Sequence, residues 1–202
     1  MSKNSLQPVV ELDAVDPSQL ELLADFLGRG ELNAFCSINT DGDWMIDESR
    51  FRSGELEAVD SIPNHFIQPV IKSATKWLLA DCDVQLSYRR SDLSPGDIQR
   101  SGGWHFDGAG FEGPVRSVII SSILPTEYAS STTDLDLDVM KNSVRVDEHV
   151  DEMARRGELI VKSTESHKVY GLTENTLHRS QSNGQRVAVE RTFLRLLTIS
   201  GR

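Results

Sequence analysis

Within residues 101–110 a histidine and an aspartate stand two apart, His105 and Asp107, set between Gly102-Gly103 and Gly108. In an extended chain, residues i and i+2 project to the same side. An imidazole nitrogen and a carboxylate oxygen can therefore converge there on one small ion. A third ligand stands far downstream, in Thr176-Leu177-His178-Arg179-Ser180. Two histidines and one carboxylate, with coordination positions left open, suit a non-heme iron(II) centre that works on oxygen. The plainer readings are a loop histidine at His105 and a turn-forming aspartate before Gly108. Context favours the metal: the pair sits at the mouth of a strand-rich region, and His178 directly precedes the final strand.

Arginines follow inside that final segment. A guanidinium matches a carboxylate bidentately, so a buried arginine is the physical answer to a dicarboxylate ligand. Arg186, Arg191 and Arg195 are the candidates. On a regular strand Arg191 and Arg195 share a side with Phe193 and Leu197. That side is otherwise apolar, and an unpaired arginine on it would be costly, so an anionic partner is expected. Arg186, close after Gly184, reads as solvated.

In order and distance, His105-x-Asp107, then His178, then an arginine, the chain resembles the iron- and 2-oxoglutarate-dependent dioxygenase superfamily. The resemblance rests on Trp104-His105-Phe106-Asp107-Gly108, on Leu177-His178-Arg179-Ser180 and on Glu190-Arg191-Thr192-Phe193-Leu194-Arg195-Leu196. It covers roughly residues 83–202. It implies a double-stranded β-helix in which His105, Asp107 and His178 hold Fe(II). 2-Oxoglutarate would chelate the iron, O2 would take the open position, and succinate would be released. A basic residue on the last strand would hold the far carboxylate. Arg191 is preferred for this and Arg195 is the alternative. Val189 occupies the offset that many members use, and a short insertion within residues 181–185 accounts for the displacement. Tyr88, on an earlier strand, lies where relatives supply a hydroxyl to the cosubstrate. Hydroxylation of a small molecule is the default reaction. Halogenating relatives lack the carboxylate ligand, so Asp107 argues against halogenation.

The elements that must position these residues are legible in outline. Val9-Val10-Glu11-Leu12 reads as an edge strand. Asp16-Pro17-Ser18 starts a helix, with Asp16 as N-cap and Pro17 in the first turn. Leu20, Leu23, Ala24 and Leu27 form its stripe, closed by Gly28. Residues 35–51 are expected to form a hairpin or a loop, and residues 64–80 a second helix, whose start Pro69 could move to Gln68. Strands are expected over 83–88, 104–107, 115–124, 134–139, 157–161, 168–171 and 187–199. Residues 145–156 are charged, a surface helix or loop. The fold class is α+β, mainly β: a jelly-roll or cupin-like barrel with N-terminal helices packed on it. A single domain is expected, with residues 1–82 supporting a barrel over 83–202.

Composition narrows the partners. A net charge of −10 weighs against a nucleic-acid backbone. Cys36 and Cys82 are too few for a disulfide framework. Neither a signal peptide nor a stretch of roughly 18 apolar residues is present, so a cytoplasmic protein without membrane contact is expected. No Gly-x-Ser-x-Gly elbow, phosphate loop or zinc knuckle competes for the chemistry. Two other readings remain: a non-catalytic cupin-like protein holding a metal or anion, and an oxygenase acting on a protein or nucleobase.

Overall fold

The computed structural model describes residues 5–38, 44–46, 74, 77–78, 83–99, 103–107, 113–131, 135, 137–141 and 146–199. Strand β1 (Val10–Ala14) is followed at once by helix α1 (Pro17–Leu27). Asp16 caps that helix by accepting from the Ser18 backbone N–H at 2.9 Å. The helix ends where Gly28 takes φ +74°, a conformation that favours glycine. Leu20, Leu23 and Ala24 recur at helical spacing and are buried. Each fully buried leucine contributes about 1.5–3 kcal/mol, so this stripe decides which face of α1 meets the sheet.

The sheet it meets has seven strands, in the order β1, β9 (Lys168–Thr173), β6 (Val115–Ser121), β11 (Val189–Ile199), β4 (Asp83–Leu93), β2 (Gly30–Ile38) and β3 (Trp44–Ile46). Every pairing in it is antiparallel. Register puts Tyr88, Leu194 and Ile120 side by side. They face α1 within a core that includes Val84, Leu86, Val118, Val169 and Leu196. The odd-numbered residues of β11 face the other way.

A smaller antiparallel sheet runs β5 (His105–Phe106), β10 (Leu177–Ser180), β7 (Thr126–Ser131), β8 (Leu159–Ser163). Helices α2 (Leu137–Lys141) and α3 (Val146–Arg155) accompany it. Trp104, Phe106, Ala129, Leu159 and Leu177 pack with Leu137, Met140, Val150 and Met153 in a second core. Among the described residues no helix is long and apolar enough to cross a membrane.

The hairpin expected over 35–51 appears as β2 paired with β3, but β2 starts at Gly30 and pairs with β4 from Asp83 to Arg90. The described residues before 83 thus add three strands to the larger sheet as well as helix α1. The strand expected over 115–124 stops at Ser121; Leu124 takes φ +49° ahead of Pro125, which turns the chain. The strand expected over 134–139 is not seen among the described residues. Leu137–Lys141 is helical instead, because Leu137 and Met140, three apart, bury together against α3. The strand lies earlier, at Thr126–Ser131, in a polar stretch without a clean alternation.

The helix expected over 64–80 lies largely outside the described residues. Ala74, Trp77 and Leu78 are described and belong to the α1-side core. Trp77 donates its indole N–H to the Leu172 carbonyl at 3.1 Å. Gly171 makes that approach possible, because a Cβ there would lie 2.5 Å from the indole.

Candidate metal centre

Strand β5 brings in His105 and, one residue past its end, Asp107; strand β10 brings His178. His178 pairs directly with His105 across the ladder, so both imidazoles project from one face. Their ring centroids are 4.3 Å apart. One ligand atom from each of His105, Asp107 and His178 lies within 4.8 Å of the others. Three residues read from the sequence as one ligand set therefore come together in space.

Both histidines are oriented by the same local device. The Nδ1 of His105 lies 2.9 Å from the Gly103 carbonyl, and that of His178 lies 3.0 Å from the Thr176 carbonyl. A carbonyl only accepts, so Nδ1 carries the proton and the Nε2 lone pair faces the centre. A partner on the other ring nitrogen is what a metal-ligating histidine normally requires. Burial pushes the His178 pKa down, against the pull of Asp107. It stands neutral, as a ligand must.

Asp107 is buried, at 4% exposure. Burial alone would raise its pKa, but His178, the Arg195 guanidinium and the Ser117 hydroxyl outweigh that and hold it at about 2. With His178 neutral at pH 7, the standing cation is Arg195. Its Nη1 donates to Asp107 Oδ1 at 2.9 Å, while Ser117 Oγ donates to Oδ2 at 2.7 Å. Ser117 lies on β6 and Arg195 on β11, so the smaller sheet meets the larger one at this carboxylate.

The other candidates divide. Arg195 touches the ligand set. Arg191, 0% exposed, points to the same side of β11 but is held by the Ile123 carbonyl at 3.0 Å and by Gln99 Oε1 at 2.6 Å. Tyr88 faces away from the centre, and its hydroxyl donates to the Gly28 carbonyl at 2.8 Å, on the α1 side. The structure does not bring Tyr88 to the ligand set, because its strand position has the parity of Leu194 and not of Arg195. Arg186 is exposed, as expected.

Three residues at the site were not read from the sequence. Ser87 pairs with Arg195 across the β4–β11 ladder. Ser117 sits in a run that reads only as a strand. Tyr128 pairs with His178 and shares its face, on the strand that was not expected. Period-two parity could have flagged Ser87, once β4 was known to neighbour β11.

No protein-family model matches the chain, and no curated protein matches it. Solved structures do resemble it. IDO from Bacillus thuringiensis superposes with a TM-score of 0.50 at 14% identity, over 92% of this chain and 83% of that one. AviO1 from Streptomyces viridochromogenes Tue57 gives 0.48 at 14%, over 99% and 93%. A Pseudomonas putida prolyl-4-hydroxylase gives 0.44 at 10%, over 98% and 95%. At such identities the likeness to the first of these is one of fold.

Proposed function

We propose that this chain is a non-heme Fe(II)- and 2-oxoglutarate-dependent oxygenase that hydroxylates a small molecule. In this reading the two sheets form a double-stranded β-helix within one domain. The observation that carries it is the convergence of His105, Asp107 and His178 within 4.8 Å. Two imidazoles and one carboxylate are the donor set that suits iron(II) with open positions.

The surroundings also fit an anionic cosubstrate. Arg195 Nε and Ser87 Oγ are buried without a hydrogen-bond partner among the described residues. Both stand on the face that carries Asp107. A buried guanidinium N–H left unmade is costly, and a carboxylate placed there would satisfy it. We therefore assign the cosubstrate carboxylate to Arg195 with Ser87. Arg191 has its Nε and Nη1 committed to Ile123 and Gln99 and is assigned a structural role.

When bound, iron and 2-oxoglutarate supply the oxidising chemistry: O2 and 2-oxoglutarate become succinate, carbon dioxide and a hydroxyl group on the substrate. The chain's own part is to hold. Asp107 stays charged because Arg195 and Ser117 pin its two oxygens. The histidines present Nε2 because Nδ1 is tied to a carbonyl. Tyr128, half-buried and paired with His178 across the ladder, stands beside the centre. The test is succinate release from 2-oxoglutarate with iron(II) and O2. Release is expected from the wild type and is abolished in His178→Ala and Asp107→Ala. Stoichiometric metal binding with no succinate under any substrate panel would favour a cupin-like binding protein.

A further inference from the structure

Among the described residues strand β5 is two residues long and pairs with β10 alone, through Leu177↔Phe106 and His178↔His105. Two ladder positions are little to fix a metal ligand. What lies on the opposite face of those strands supplies the rest. Trp104 and Arg179 are the chain neighbours of His105 and His178 and project away from the centre. The Arg179 guanidinium lies over the Trp104 ring, 4.5 Å from its centroid. Arg179 Nε donates to Glu127 on β7 at 2.7 Å. From helix α3, Asp147 accepts the Trp104 backbone N–H, and Asp151 accepts its indole N–H at 3.2 Å. Asp151 also meets Arg179 Nη1 at 3.4 Å.

We propose that Trp104 and Arg179, held by Asp147 and Asp151 of α3 and by Glu127, form a positioning bracket that sets the spacing of the His105 and His178 ligands. This rests on the metal-centre reading above. Trp104 is buried at 4% exposure, so its two N–H groups need their acceptors. The Asp151–Arg179 pair is half exposed and adds little by itself. The bracket therefore acts through hydrogen bonds to Trp104 and the stacked guanidinium, and less through net charge. Helix and strand support each other: Asp147 lies in the first turn of α3, where a carboxylate favours the helix. Gly103 is the matching small residue, because a Cβ there would lie 2.5 Å from Asp147 Oδ2.

The test is anaerobic Co(II) titration followed by its visible d–d bands, with melting temperature measured in parallel. Asp151→Ala and Arg179→Ala are expected to weaken Co(II) binding about tenfold and to alter band position or intensity, the usual cost of losing an outer partner of a metal ligand. Asp151→Asn keeps an acceptor for the indole and is expected to bind within about twofold of wild type, since the lost ion pair is worth little. Glu152→Ala, on the same helix but paired with Arg155, should match wild type. A lowered melting temperature with unchanged Co(II) affinity and spectrum in Asp151→Ala and Arg179→Ala would overturn the bracket. Should Asp151→Ala fail to fold, Trp104→Phe, which removes the indole donor and part of the ring under Arg179 but keeps the backbone N–H to Asp147, is read by the same two measurements with the same expected and contrary results. Absence of Co(II) binding in wild type would instead sink the metal-centre reading itself.

Discussion

Asp107 shows how one carboxylate is shared between two sheets. It leaves the end of a two-residue strand, yet both oxygens are held by β6 and β11, through Ser117 and Arg195. Removing the hydroxyl should loosen the ligand without disturbing the fold. Ser117→Ala is expected to lower metal affinity about tenfold with little change in melting temperature; isothermal titration checks it. The two arginines should separate cleanly. Arg195→Ala is expected to weaken metal binding, because Asp107 loses its guanidinium partner. At saturating metal it is expected to raise the KM for 2-oxoglutarate by more than about tenfold, as loss of a carboxylate-matching guanidinium does. Arg191→Ala leaves Gln99 Oε1 and the Ile123 carbonyl buried without their donor, each costing about 1–3 kcal/mol. Its effect should appear in urea unfolding first. The reverse result, Arg191→Ala impairing only cosubstrate use, would return the carboxylate to Arg191. The convergence of His105, Asp107 and His178 was legible from sequence because His-x-Asp needs only the period of a strand. Ser117 was not, because its role depends on which strand of the larger sheet faces Asp107.

At the scale of elements, α1 and the α1-side core are explained by capping, a leucine stripe and one buried phenol. Tyr88 donates to the Gly28 carbonyl, and burial pushes its pKa up to about 12. A tyrosine whose folded pKa exceeds its unfolded value, near 10, stabilises below about pH 10. That contribution is lost as the pH rises from about 10 to 12. Tyr88→Phe should therefore cost about 1 kcal/mol at pH 8, and the gap to wild type should narrow across that alkaline window in chemical denaturation. Gly171→Ala pushes a methyl into the Trp77 indole and is expected to cost about 1–3 kcal/mol, read from the melting temperature. Helix α1 was legible because Asp16, Pro17 and the leucine spacing are all local signals. Thr126–Ser131 was not, since two neighbouring strands rather than its own pattern make it a strand. In residues 137–141 packing against α3 overrode a short alternation.

For the whole molecule, the antiparallel mostly-β class could be read from the run of short strands, but the sheet order could not. Strand β4 lies between β2 and β11, the latter about a hundred residues away along the chain, and pairings that distant leave no local mark. That placement decides the site, because it sets Ser87 beside Arg195 and turns Tyr88 toward α1.

In the proposed function, His105, Asp107 and His178 hold an iron that 2-oxoglutarate then chelates. Anaerobic addition of Fe(II) and 2-oxoglutarate, watched for the weak visible metal-to-ligand charge-transfer band, tests this most directly. A band is expected in wild type, lost in His105→Ala and weakened in Arg195→Ala. Wild-type protein with iron confirmed bound and no band at saturating 2-oxoglutarate would contradict it.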